Sequence, residues 1–465
     1  MAQRGGTVYE FLGCFWYGCS KCFPLNRNMV KLQRTKQSMN ELFALTKKKE
    51  NYIRTLGINY HSIWEHEFEE LLNTCQDAKV VCDSLDIKER LDPRDSFFGG
   101  RTNTTKLHNK VKDDEKVHYV DFTSLYINKY EKYPIKHPII ITQGFKDISE
   151  YFGIAKVTIL PPKGLYHPVL PQKLNGKLTF ALCRTCAERC SQKPYQCPDS
   201  DWAMTGTWCT PEINKAVEKG YKVIEIFEVY HFDESSQYDP STEEGGLFGE
   251  YINVFLKIKQ ESSDWPAWVQ SEEDAAQYIE QYFKREGIRL NPDNIRKNKA
   301  LRSLAKLLLN SFWGKFGQRL NMPQTTYFHE YEADKFFQCL SDRTKIIKDF
   351  HIVTDDTIQV TWENDEHFIL ENDQTNIFVA SMTTCWARLK LYGILEMLGN
   401  RVLYYDTDSV IYVSGQSDLN PDLGDYLGEL TSELDPDDHI THFVSGGPKQ
   451  YSYITYKGKE NIFDS

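Results

Sequence analysis

The sequence predicts an α+β protein of more than one domain, and three stretches carry the prediction. At 401–413 it reads RVLYYDTDSVIYV, two aromatic, β-prone runs joined by an Asp/Ser-rich centre with hairpin chemistry. At 117–130 it reads VHYVDFTSLYINKY, a second β-prone run interrupted by a lone carboxylate, Asp121. In RSLAKLLLNSFWGKFGQ (302–318), Arg302, Lys306, Asn310 and Trp313 recur at steps of four, four and three, which sets them on one helix face. Leu304, Leu307, Leu308 and Leu309, with Ala305, are expected on the core side of that helix.

The 465 residues are too many for one ordinary domain and are expected to fold as two or three. Hydrophobic residues at 40% and charged residues at 26% describe a globular chain able to bury a core. The opening MAQRGG lacks a charged-then-apolar signal pattern, and no apolar run approaches bilayer-spanning length. No membrane partner is therefore expected, and an intracellular location, nuclear in a eukaryote, is the default.

A net charge of −11 argues against a chain coated in positive charge, but local basic stripes decide contact with nucleic acid. Such stripes occur at 31–49, 296–306 and 314–319, and each equally suits a solvated helix face. The 12 cysteines read as free thiols or metal ligands rather than disulfides. Four of them crowd into CRTCAERCSQKPYQC, at Cys183, Cys186, Cys190 and Cys197, where zinc and unliganded surface thiols are both open readings.

The Asp406-Thr407-Asp408 centre has two readings as well. It caps a solvated turn, or its carboxylates hold a hard divalent cation such as magnesium. Two ions that clamp a phosphoryl displacement need a further carboxylate from elsewhere, and Asp121 is the candidate. The cationic helix face suits a triphosphate with a base pair beside it.

Read together, DFTSLY (121–126), the helix at 302–318 and YYDTDS (404–409) resemble the motifs of family B DNA polymerases, with Trp313 in place of the family's tyrosine. FFGGR (97–101) is similar to the template-binding element of protein-primed members, with Phe97 replacing a tyrosine and Gly99, Gly100 and Arg101 following. GPKQYSY (447–453) is similar to the element that holds the primer terminus, through Lys449 and Tyr451. Five elements in order, covering most of the chain from about residue 90, point to the protein-primed branch of phages, adenoviruses, linear plasmids and Polinton/Maverick transposons.

The resemblance implies a right-hand polymerase palm and fingers with insertions, and template-directed DNA synthesis by two-metal nucleotidyl transfer in a transposon or virus-like element. Asp121 and Asp408 would hold two magnesium ions, with Asp406 a weaker ligand. Arg302 and Lys306 would meet the triphosphate, Asn310 and Trp313 the nascent base pair, and Tyr126 would exclude a 2′-hydroxyl. Thr407 would shape the turn beside the DNA. Implied partners are primer-template DNA, deoxynucleoside triphosphates and a terminal priming protein.

Residues 7–23 and 56–72 resemble a very-short-patch-repair endonuclease, a small α/β domain. Tyr17 stands where relatives have histidine and the upstream acidic ligand is missing, so this segment is expected to be an inactive docking module. Cys14, Cys19 and Cys22 read there as buried thiols, a metal being the alternative. The expected divisions are 1–85 (endonuclease-like), 86–135 (template element and first palm segment), 136–290 (insertion with the cysteine loop), 291–320 (fingers helix), 321–400 (second insertion and palm helix) and 401–465 (catalytic hairpin and primer grip). Within the first insertion, residues 205–232 are expected to run helix, strand, strand.

No segment resembles a proofreading exonuclease and little chain follows Tyr451, so a fragment with a truncated thumb is expected. Three rivals remain open. A reverse transcriptase would place its aspartates side by side, where this chain inserts Thr407. An endonuclease would rest on residues 7–72 alone, and a DNA-binding remnant would bind primer-template but ignore nucleotide.

Overall fold

The computed structural model describes residues 2–464 apart from 5–6, 26, 33–34, 85–88, 113, 124, 126–130, 192–196, 240–243, 343, 370–373 and 425. The chain divides into two compact units, Met1–Lys88 with Arg319–Asp373, and Glu89–Gln318 with Gln374–Ser465. Both mix helix and sheet, as expected of an α+β chain.

In the smaller unit the strand Thr7–Leu12 pairs antiparallel with Ala2–Arg4 and parallel with Asn59–Trp64. A parallel pair needs a crossover, and the helix Met39–Thr55 supplies it. Ser38 and Glu41 form a reciprocal capping box at its start, and Met39, Leu42 and Ile53 are buried. The 319–373 segment adds an antiparallel sheet in which Thr357–Asn364 lies between Gln324–His329 and Lys345–Thr354.

The larger unit is built on a nine-stranded sheet. Ser409–Ser414 lies between two antiparallel neighbours, Val402–Asp406 on one side and Lys116–Phe122, the middle strand of the path, on the other. Beyond Lys116–Phe122 the sheet continues through Ile440–Gly447, Gln450–Thr455 and Glu460–Asp464. Val402, Leu403, Tyr404, Tyr405, Val410 and Ile411 are all buried, so both faces of the hairpin are covered.

The helix Ile377–Leu398 is the axle of this unit. Asn376 caps its start by accepting from the amides of Phe378 and Val379. Most of its surface is apolar and buried, and Gly393, Glu396 and Met397 near its C-terminal end are exposed. Val379, Met382 and Cys385 enter one core cluster, Tyr392 a second, and Ala387, Leu391, Leu395 and Leu398 a third beneath the hairpin.

A four-stranded antiparallel sheet flanks the second cluster, in the order Met204–Cys209, Gly153–Leu160, Lys222–His231, Ile139–Ile141. Residues 205–232 therefore run strand, helix, strand instead of helix, strand, strand. The helix starts only at Thr210, with a proline in its first turn. The residues before it, Thr207, Trp208 and Cys209, are buried as a strand against Gly153–Leu160.

Candidate active site

The hairpin turn brings the carboxylates together. Asp406 pairs with Ser409 across a two-residue turn in which Thr407 holds a left-handed φ of 57°, a conformation uncommon for a β-branched residue. Three bonds fix it: the Thr407 amide donates to the Arg101 carbonyl (2.8 Å), the Thr407 hydroxyl to Asp406 Oδ1 (3.0 Å) and the Asp408 amide to the Asp406 carbonyl (2.6 Å).

Asp121 lies directly across from Ser409 on the neighbouring strand, and the Phe122 amide donates to the Asp408 carbonyl at 2.8 Å. Asp121, on its strand, and Asp408, in the adjoining hairpin turn, thus lie close together. Burial, then the nearby charges of Asp408 and Glu433, push the Asp121 carboxyl from 3.8 to about 7. Burial and the charge of Asp406 raise Asp408 as well. Two partly buried carboxylates that resist ionisation side by side form a donor set suited to a hard divalent cation.

Asp406 has a different setting. Its carboxylate accepts from Lys449 Nζ (2.7 Å), the Thr102 hydroxyl (2.6 Å), the Thr407 hydroxyl and, at 3.5 Å, the Tyr404 hydroxyl. With so many donors it acts as a clasp between two hairpins, leaving little of its oxygen free for a metal.

Cations approach from the helix Lys299–Ser311. Lys306 is exposed and close enough for its charge to favour the ionised forms of both Asp121 and Asp408. Arg302 donates to the Ser263 hydroxyl at 3.0 Å. Asn310 is partly buried on the same face, and Trp313 packs against the first core cluster from a 3-10 turn that follows the helix. The leucine expectation needs correction: Ala305 and Leu309 are buried, whereas Leu304 and Leu307 are exposed. The principal helix packed against it is Gly249–Glu261, and contact on that side buries the single i, i+4 stripe of Ala305 and Leu309.

Lys259 was missed from sequence. It is buried on the helix Gly249–Glu261, and burial together with Arg302 and Lys306 lowers its amine to about 8, while Glu286 and Asp121 act against that. A signal existed: Lys259 follows Ile252 and Leu256 on the helix's own buried stripe, where a lysine is out of place.

The glycine element is held from below. Arg388, buried on Ile377–Leu398, donates to the carbonyls of Phe98 (2.8 Å) and Gly99 (3.0 Å) and forms a two-bond pair with buried Glu212. Gly99 is exposed and Gly100 partly so. The Phe97 ring lies over Gly317, where an added Cβ would stand 2.6 Å from it.

Arg101 and Tyr451 differ from expectation. Arg101 is 1% exposed, with its guanidinium 4.2 Å from the Phe180 ring centre and beside Tyr392 and Tyr405. It therefore supports the turn, through its carbonyl, instead of offering a charge to DNA. Tyr451 is also buried, stacked with Phe463 and bonded through its hydroxyl to Tyr119 (3.0 Å). It underpins Lys449, which is exposed at its hairpin turn. Tyr126 lies outside the described residues.

Besides the buried group Cys209, Glu212 and Cys385, whose Glu212 is paired with Arg388, two cysteine groups among the described residues offer metal-ligand geometry away from Asp121 and Asp408. Cys14, Cys19, Cys22 and His66 converge in the smaller unit, and Cys183, Cys186 and Cys197 in the larger. Cys190 is exposed and stands outside the second group. His66 was not anticipated as a fourth donor, because nothing in the sequence ties residue 66 to residues 14–22.

No protein of curated function matches the chain. Among solved structures, Phi29 DNA polymerase complexed with primer-template DNA (post-translocation binary complex) is 15% identical with a TM-score of 0.48, covering 86% of this chain and 59% of that one. The orthorhombic form of Phi29 DNA polymerase is 16% identical with a TM-score of 0.49, covering 80% and 54%. The Phi29 complex with primer-template DNA and incoming nucleotide is 13% identical with a TM-score of 0.47, covering 92% and 63%. The chain thus spans little more than half the length of those proteins. Residues 32–397 match the family described as DNA polymerase type B, organellar and viral. With the carboxylate strands, the cationic helix and the glycine element in one unit, and the family match running over most of its length, this chain belongs to the type B DNA polymerases of organelles and viruses.

Proposed function

We propose that the chain adds deoxynucleotides to a primer 3′-hydroxyl under the direction of a DNA template, in replication of a virus-like or transposon element. The observation that carries the reading is the closeness of Asp121, on its strand, to Asp408, in the turn that leads into the neighbouring strand, with the charge of Lys306 acting on both.

Asp121 and Asp408 would hold two magnesium ions, which when bound activate the attacking hydroxyl and neutralise the leaving pyrophosphate. Lys306, Arg302 and Lys259 meet the triphosphate and offset the charge that develops on it. Asn310 and Trp313 lie toward the nascent base pair, and Tyr126 limits space at the sugar. Lys449 holds the primer end, and the Gly99–Gly100 backbone admits the template strand. A terminal protein supplies the priming hydroxyl. The 1–85 segment serves as an inactive endonuclease-like docking module.

Primer extension by the purified chain beside Asp408→Ala, with template binding followed by fluorescence anisotropy, tests the reading. Extension by the parent that is lost in the variant, with binding kept, supports it. Extension by the variant overturns the carboxylate assignment, and binding without extension by either protein favours a DNA-binding remnant.

A further inference from the structure

The cysteine loop of the larger unit carries an inference of its own. Cys183 caps the short helix Arg184–Glu188, and its sulfur accepts from the Cys186 amide at 3.5 Å. Cys186 and Cys197 are 3.3 Å apart, sulfur to sulfur, and all three sulfurs lie within 4.8 Å of one another. Thiolates at tetrahedral corners around zinc, each at ~2.3 Å, stand roughly 3.8 Å apart, inside that range. An amide aimed at the first sulfur of a Cys-x-x-Cys turn strengthens when that sulfur carries charge.

Cys190 is placed otherwise. It is exposed, holds a left-handed φ of 49° just past the helix, and lies outside the cluster. Four cysteines in the sequence become three in space.

The surroundings say what the cluster could support. Cys183 is 1% exposed, and Cys186 and Cys197 pack against the same core as Leu182, Trp202 and Phe98. Leu178, from the hairpin just before the cysteines, packs there too, and a Cβ added at Gly99 would stand 3.9 Å from its side chain. The three cysteines thus share a core with Phe98 and Leu178, the platform beneath the glycine element.

We propose that Cys183, Cys186 and Cys197 bind one zinc ion as thiolates, with the fourth position left to solvent and not to Cys190, and that the ion stiffens the platform under Gly99. Zinc displaces three thiol protons and ties Cys197 to the Cys183–Cys186 turn. The metal assignment stands without the polymerase reading; the effect on template rests on it.

The test uses the full chain. Parent protein is alkylated with iodoacetamide before and after treatment with a zinc chelator, and each cysteine is followed by peptide mass spectrometry. Cys186 and Cys197 are expected to be protected until the chelator is added, and Cys190 to react throughout. Zinc content by mass spectrometry should fall by one equivalent in Cys186→Ser and Cys197→Ser and stay unchanged in Cys190→Ser. Equal labelling of Cys186 and Cys197 with and without chelator overturns the site, and a loss of zinc in Cys190→Ser overturns the three-thiolate set. Zinc removal should lower template affinity several-fold; unaltered affinity after proven zinc loss overturns the platform role. A parent that never extends a primer counts against the polymerase reading and leaves the labelling result standing.

Discussion

Replacing Asp121 by asparagine should make the metal-free protein more stable at alkaline pH. The native fold holds this carboxyl at about 7 against an ordinary 3.8, chiefly through burial and the neighbouring Asp408. Because the folded value lies above the unfolded one, the folded chain carries the full cost of the charge above pH 7. Stability returns as the pH falls through about 7 toward the ordinary carboxylate range, where both states are protonated. A gap of about 3 pH units at ~1.4 kcal/mol per unit sets a ceiling of about 4 kcal/mol. Asp121 is only partly buried, so solvent screening reduces the expected gain to ~1–3 kcal/mol. Urea denaturation in a chelator should show Asp121→Asn gaining that much at pH 8 and less than half of it at pH 5. Magnesium should then stabilise the parent and do little for the variant. A variant no more stable than the parent at pH 8, or a gain that does not change with pH, refutes the electrostatic argument.

Two further outcomes follow from the cations. Lys259→Met should raise the KM for deoxynucleotides by ~10-fold or more, the scale of a charge-assisted hydrogen bond of ~1.5–3 kcal/mol. The parent's nucleotide affinity should weaken as pH rises through about 8, where Lys259 loses its proton, and steady-state kinetics from pH 7 to 9 should find that step absent in the variant. Arg388→Met should cost ~3–5 kcal/mol by leaving Glu212 buried and unpaired. Adding Glu212→Gln should recover much of the melting temperature without restoring template affinity, because the bonds to the Phe98 and Gly99 carbonyls stay lost. A double variant that binds template as tightly as the parent removes Arg388 from any positioning role.

The parts of this fold that could be read in advance are those whose signal is local. The hairpin at 402–414 announces itself through two apolar runs around Asp-Thr-Asp-Ser, and the helix at 299–311 through its spacing. The adjacency of Asp121 and Asp408 could be guessed, but the register that sets Asp121 against Ser409 is a property of strand pairing across almost 300 residues. What escaped was decided by tertiary contact. Arg101 looks like any loop arginine until Phe180, Tyr392 and Tyr405 close around it. Leu304 and Leu307 look like core residues until the helix is seen to bury only the stripe of Ala305 and Leu309. His66 joins Cys14 only because the Asn59–Trp64 strand lies parallel to Thr7–Leu12 and carries its following helix to the same end.

The clasp between Asp406 and Lys449 ties together two hairpins that come from opposite sides of Lys116–Phe122 in the sheet. One turn carries Asp408, and the other would carry the end of the growing strand. A poorly paired terminus that tugged Lys449 aside would loosen Asp406, and with it the Thr407 turn that aims Asp408. The reacting groups would then fall out of alignment, so the ion pair that would steady synthesis would also make it falter after an error.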